Sequence, residues 1–214
     1  MSPRFIHLHV HTEFSMADSI IRVPEKPDEA RPDKAKRPNI LSRAVELQLP
    51  SLALTDRNNL FALVKFFKAA ESVGIKPIAG ADVSIADGGD APSMVTLLCR
   101  DRTGYLSLSR LLTRAWMQGH RADGVAVDPE WLREDHEVLF AILSRLSLAG
   151  RLAAGGRHDL AELQLADWQR AFGEDVHLEL TRTGRDGEDA FNQFALHAAA
   201  ARGLPVIASN DVRF

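Results

Sequence analysis

With a single cysteine, Cys99, in 214 residues, the chain cannot close a disulfide within itself, and a zinc ribbon or iron-sulfur site built from thiolates is excluded as well. The pattern suits a reducing compartment. Long apolar runs are also missing. No stretch approaches the roughly 18 apolar residues of a membrane helix, and the N-terminal Met1-Ser2-Pro3-Arg4-Phe5-Ile6-His7 has no apolar signal segment. A cytoplasmic protein with no membrane partner is expected. An excess of positive charge is absent too: 26 Lys plus Arg stand against 29 Asp plus Glu, for a net charge of −3. Gripping duplex DNA through its phosphates needs a basic face, so that is not the expected main task, although a local patch stays open. What is present, 45% apolar and 26% charged residues, is the ordinary mixture of a folded domain. The length favours one domain, residues 1–214, able to bury roughly 70% of its unfolded surface.

Seven short apolar runs, 5–10, 51–55, 78–85, 94–99, 138–143, 176–180 and 206–209, alternate with stretches of helical period at about 40–49, 60–73, 105–117, 160–172 and 190–201. Gly74 and Gly203 close the second and last of these, each just ahead of a proline and a strand. Repeated βα units predict a parallel sheet, either as a closed barrel or as an open doubly wound sheet. Residues 146–159, rich in glycine, read as a short helix or loop. The segment 24–38, PEKPDEARPDKAKRP, holds four of the ten prolines and no aliphatic side chain larger than alanine, which predicts an exposed, mobile insertion. A docking or nucleic-acid arm is the alternative for it.

His7, His9 and His11 occupy alternate positions of the first run, so in a strand all three imidazoles would line one face. Neutral imidazoles gathered on one face are a common way to hold zinc or another transition metal. A strand face that merely happens to be polar is the plainer alternative. Polar residues end other runs: Thr55-Asp56, Asp82, Glu179 and Asn210-Asp211. The C-terminal ends of parallel strands are where βα proteins build their sites, and acids converging there with histidines would make a polynuclear metal site. Each acid has a structural alternative as a helix cap, and Asp56 in particular precedes a helix closely enough to be one.

Other signals are weak. The Gly-Gly pairs at 88–89 and 155–156 lack phosphate-loop spacing and read as turns. Trp116, Trp131 and Trp168 lie on or beside amphipathic stretches and read as packing residues. His120, His136, His158, His177 and His197 are scattered, and Ser15, Ser144 and Ser209 have no partner histidine at a recognisable spacing.

The run His9-Val10-His11-Thr12-Glu13-Phe14-Ser15-Met16-Ala17-Asp18, then Leu54-Thr55-Asp56, then Pro77-Ile78-Ala79-Gly80-Ala81-Asp82, and the closing stretch from Gly203 through Asn210-Asp211-Val212-Arg213-Phe214 together resemble the polymerase and histidinol phosphatase (PHP) domain. The form they resemble most is the one at the start of bacterial DNA polymerase III α subunits. The likeness runs over essentially the whole chain in order. It implies an α/β fold, a distorted (β/α)7 TIM-like barrel, and in metal-binding members a mouth holding up to three ions for phosphoester hydrolysis.

Carried over by position, the resemblance implies a residual metal set of His9, His11, Asp18, Asp82 and Asp211. It also marks departures. Arg57 and Arg213 stand where histidines are expected, Asp82 where a glutamate is expected, and Leu146 and Thr183, less securely aligned, where active members carry a thiol or imidazole. A guanidinium stays protonated and cannot ligate a metal. The two arginines are therefore expected to pair with Asp18, Asp82 and Asp211 and to supply the charge of the lost metals.

The expected function is a non-catalytic module, with no catalytic residue and no cofactor, that supports a replicative polymerase and docks its proofreading exonuclease subunit. Its partners would be the remainder of the polymerase chain and that subunit, with DNA met only through the full polymerase. The chain itself is expected to be the N-terminal part of a longer one. The alternative is a metal-dependent phosphoesterase, 3′–5′ exonuclease or pyrophosphatase. That would use one zinc or manganese ion on His9, His11 and a carboxylate, or two ions about 3.5–4 Å apart. A free-standing metabolic phosphatase is a third, less favoured reading.

Overall fold

The computed structural model describes residues 5–213 except 17, 90, 123, 135 and 137; of the motif residues quoted above, 1–4, Ala17 and Phe214 lie outside the described residues. The chain divides into two compact units, one reaching from the N-terminus to Ala81 and including the residues from Asp211 onward, the other running from Asp82 to Asn210.

In the first unit, helix α1 (Ile40–Glu46) starts at Asn39, whose side chain accepts from the amides of Leu41 and Ser42 while Ser42 Oγ accepts from the Asn39 amide. This reciprocal cap satisfies donors that the first helical turn leaves orphaned. Strand β1 (Ser51–Leu54) pairs in parallel with the start of β2 (Lys76–Ile85), in the register Ser51 to Lys76 through Leu54 to Ala79. Helix α2 (Leu63–Ser72) connects them and buries Leu63, Phe66, Ala69 and Ala70 on one face. The core gathers Val10, Leu41, Leu52, Leu54 and Phe66 around these elements.

The expected first strand at 5–10 is an extended segment with only isolated parallel bridges, His7 to Leu52 and Val10 to Val212. The reason is local. Thr55 meets Val10 through both backbone and side chain: its amide donates to the Val10 carbonyl at 2.9 Å, while its Oγ1 accepts from the Val10 amide at 2.9 Å and donates to the same carbonyl at 3.1 Å, so the pairing closes at one residue instead of continuing as a regular ladder. The insertion at 24–38 is also less detached than its composition suggests. Pro27–Ala30 forms a 3-10 turn, Ala30 is wholly buried, Asn39 Nδ2 donates to the Glu29 carbonyl and Ser72 Oγ to that of Pro27. An alanine suffices as an anchor because its neighbours supply the hydrogen bonds.

In the second unit β3 (Ser93–Cys99) is followed by the long helix α3 (Arg102–Gln118), a two-residue-strand hairpin of β4 (His120–Arg121) and β5 (Gly124–Val125), and the short α4 (Pro129–Glu134). Then come β6 (Leu139–Leu143), α5 (Leu148–Ala154), α6 (His158–Phe172), β7 (Val176–Thr181), α7 (Glu188–Arg202) and β8 (Val206–Ser209). Strands β6, β7 and β8 pair in parallel as expected, but β6 runs antiparallel to β3, with Leu139 opposite Cys99. The added hairpin and α4 reverse the chain once more than a simple βα unit does, so it re-enters the sheet beside the end of β3. Gly104 in the first turn of α3 makes close approach possible there, because a Cβ would collide with the carbonyl of Val138, itself at φ 63°. Residues 146–159, expected as a short helix or loop, contain α5. Among the described residues no helix is long and apolar enough to cross a membrane.

Candidate functional site

The extended segment places His9 and His11 in the core of the first unit, where they are 3% and 0% exposed. Its backbone is held on both edges: the His7 carbonyl accepts from the Ala53 amide, and the His9 carbonyl and His11 amide bond to Val212 at 3.1 and 3.0 Å. The two rings meet edge to face with centroids 5.4 Å apart. His7, expected on the same face, is not with them. Its ring packs on Phe5 with centroids 4.8 Å apart, its Nδ1 is buried without a hydrogen-bond partner, and burial pushes its pKa down. Alternation failed to bring the trio together because the segment is held by separate bridges rather than a continuous ladder.

Asp18 reaches this pair from the loop that follows. His11 Nδ1 lies 2.6 Å from Asp18 Oδ2, and since a carboxylate only accepts, the proton sits on that ring nitrogen. The loop is shaped by Asp56, directly after β1. One Asp56 oxygen accepts from the Thr12 amide at 2.7 Å and from Ser15 Oγ at 2.5 Å, and the other from Thr12 Oγ1 at 2.7 Å. Ser15 Oγ in turn accepts from the Arg57 amide. The helix-capping alternative for Asp56 does not hold: α2 begins seven residues later at Leu63, behind Ala62, and Asp56 is a buried staple for the 12–15 turn. A hydroxyl at Thr12 and another at Ser15 were the only signal of this in the sequence.

Asp211 and Arg213 complete the cluster. Asp211 adopts φ 47°, a left-handed conformation that Asp tolerates better than most residues, and its Oδ1 lies 3.5 Å from His9 Nε2. Arg213 donates from Nε to Asp211 Oδ1 at 2.8 Å and from a terminal nitrogen to Asp18 Oδ1. Burial opposes its charge, but the hydrogen bond and charge of Asp211, seconded by Asp18, outweigh it and hold the Arg213 pKa above its ordinary value. Two histidines, two carboxylates and one guanidinium thus form a continuous polar chain, His9 to Asp211 to Arg213 to Asp18 to His11.

Arg57 does not join it. Its residue is exposed, and it makes no ion pair among the described residues, so the expected pairing of Arg57 with the acids is not made. Asp82 is the first residue of the second unit; it is 1% exposed and its Oδ1 accepts from Thr96 Oγ1 at 2.5 Å. Thr183 is committed elsewhere, its amide and hydroxyl both donating to Glu188, while the Leu146 amide donates to Ser144 Oγ. Among the scattered aromatic and imidazole residues, His136 and Trp168 both pack on Phe172, His177 on Phe140 and His158 on Phe194, and Trp131 lies beneath Arg114.

The acids of this cluster are all engaged by protein donors. Asp18 and Asp211 are both bonded to a permanent cation, Asp18 also accepts a hydrogen bond from His11, and Asp56 accepts three bonds from neutral donors.

The PHP domain family model matches residues 7–183. The chain is 67% identical over 211 residues, 98% of its length, to the DNA polymerase III subunit alpha of Xylella fastidiosa strain Temecula1, and 38% identical over 215 residues, 99% of its length, to that of Escherichia coli K12. It spans only 18% and 17% of those two relatives. Among solved structures it resembles a protein named as a metal-dependent phosphoesterase from Bifidobacterium adolescentis, with TM-score 0.62 at 13% identity, covering 99% of this chain and 88% of that one. It also resembles an amidohydrolase from Chromobacterium violaceum, with TM-score 0.58 at 19% identity and coverage of 97% and 87%. The fold class is accordingly the one expected, the distorted (β/α)7 TIM-like class of α/β proteins. With a family match over most of its length and the His9/His11 pair inside it, the chain belongs to the PHP domain family.

Proposed function

We propose that this chain is the N-terminal PHP domain of a bacterial replicative DNA polymerase α subunit, in which an ion-pair network has replaced the metal centre. The observation that carries the reading is Arg213, a residue that cannot bind metal, bonded at once to Asp18 and Asp211. The 67% identity to a polymerase subunit supports the setting. In that setting the domain acts in the cytoplasm, supports the rest of the polymerase chain, meets DNA through it, and docks the proofreading exonuclease subunit. It performs no chemistry itself, and its residues act by holding one another: Asp56 fixes the loop that carries Asp18, and Arg213 fixes the two acids.

Elemental analysis of the chain purified without chelator tests this. Far less than one transition-metal ion per chain is expected, and Arg57→His with Arg213→His is expected to raise zinc or manganese binding. Two or three tightly held ions in the unmodified chain would overturn the proposal. Mixing the chain with the exonuclease subunit tests docking, with a stable complex on gel filtration as the expected result.

A second reading, a phosphoesterase or exonuclease with one zinc or manganese ion, is favoured by the packed His9 and His11 rings and by the carboxylate behind His11, an arrangement that typically orients a ligating imidazole. Under that reading, hydrolysis of a phosphodiester by the unmodified chain would be lost on His9→Ala and His11→Ala.

A further inference from the structure

His7, the histidine of the alternating trio that the cluster above does not use, lies on the wall of a cavity of about 520 Å³ in the first unit. That volume falls within the roughly 300–1,000 Å³ typical of small-molecule sites. The floor and walls are aliphatic: Val10, Ile21, Ile40, Leu49, Leu52 and Val212. At the rim, Ile20 is 75% and Leu47 52% exposed.

Among the described residues that line the cavity, the charged ones, Arg22, Arg37 and Arg43, are all basic. Arg43 is bonded to Glu46, but Arg22 and Arg37 make no ion pair among the described residues. The wall holds one further polar atom without a partner, the buried Nδ1 of His7.

These features define the chemistry of an occupant. A polar body such as a nucleotide would bury hydrogen-bonding edges against aliphatic side chains and leave them unpaired. A cation would meet three guanidinium groups. An apolar chain ending in one anionic group meets neither objection, because its tail replaces water along the aliphatic walls while its head stays at the rim, where guanidinium groups bind carboxylates and phosphates well.

We propose that this cavity is a binding site for an amphiphilic anion, an aliphatic chain bearing a carboxylate or phosphate monoester head held by Arg22 and Arg37. The site is independent of the ion-pair network and of the polymerase assignment, so its failure leaves both untouched.

Calorimetric titration of the chain with monomeric dodecanoate and dodecyl phosphate tests it. Saturable one-to-one binding is expected, weakening as salt rises, and at least about tenfold weaker for uncharged dodecanol. The double substitution Arg22→Gln with Arg37→Gln changes only exposed residues and is expected to weaken dodecanoate by a similar factor while leaving the unfolding midpoint unchanged. Leu47→Trp, also at an exposed position, is expected to obstruct the opening and weaken both the acid and the alcohol.

Absence of saturable binding by either anion would overturn the proposal, as would equal affinity for dodecanol or an undiminished affinity in the arginine variant. Vesicles of phosphatidylglycerol separate the two sources of such a head group. Binding to vesicles without binding to monomeric dodecanoate would mean a membrane-surface patch instead of a cavity ligand, and would also overturn the proposal.

Discussion

Two loops in this molecule are organised around carboxylates, and their partners differ in kind. In the second unit Glu188, 4% exposed at the start of α7, accepts from the Thr183 amide and hydroxyl and from the Gly184 amide, all within five residues of it. In the first unit, Asp18 and Asp211 are 193 positions apart and are joined by one guanidinium, with an imidazole on each outer side. Asp56 belongs with Glu188 in type, since its donors are amides and hydroxyls and contribute no charge. Neutral donors supplied by a turn shape that turn and nothing more. A cation brought from far along the chain balances charge between segments that have no local reason to meet.

Breaking the neutral type should cost most where burial is deepest. Asp56→Ala leaves the Thr12 amide, Thr12 hydroxyl and Ser15 hydroxyl without their common acceptor, and urea unfolding is expected to show a loss of about 3–5 kcal/mol. A change under 1 kcal/mol would mean that the 12–15 turn holds its shape by other means.

Arg213→Gln tests the charged type. It leaves two neighbouring acids without their cation, and since Asp18 is one quarter exposed, the expected loss is a discounted value of about 2–3 kcal/mol. The Arg213 pKa is raised, so this contribution is fully present below its ordinary value and should not vary between neutral and mildly alkaline pH. If wild type and variant converge between pH 7 and 9, a different group is responsible.

Glu188→Gln is the smallest of the three, about 1–2 kcal/mol at pH 7. Burial works to raise the Glu188 pKa, but the Thr183 and Gly184 hydrogen bonds prevail and hold it below 4.5. A lowered carboxyl pKa means stability that is present above 4.5 and lost as pH falls through the folded value. Denaturation curves of wild type and variant should therefore draw together as pH is lowered below 4.5, and a gap that widens there would show that the charge destabilises the loop.

Much of the fold was legible because it rests on period and punctuation. The helices at 40–46, 63–72, 102–118, 158–172 and 188–202 lie within a few residues of the periodic stretches, since each has one apolar face and a marked end such as Gly203 at φ 69°. Two features escaped. The antiparallel entry of β6 depends on an extra reversal built from two-residue strands, which carry too few residues to show a period. The first apolar run makes only isolated bridges because its pairing with β1 ends at Val10, whose amide is taken by the Thr55 hydroxyl. For the site, the histidine pair and Arg213 could be read as types, but which acid each would meet could not. Arg57, equally prominent in sequence, is exposed and makes no ion pair among the described residues, whereas Asp56 beside it holds the loop.

The sequence by itself determined the family, the order of strands and helices, and the presence of two arginines where imidazoles are usual, because motif wording and hydrophobic period are written along the chain. Only tertiary structure decided that Arg213 and not Arg57 pairs with the acids, that His7 leaves its two neighbours for an aliphatic cavity, and that Asp56 is a staple. Each of those outcomes depends on which atoms come within hydrogen-bond reach across a separation of tens to hundreds of residues, and no local pattern encodes that distance.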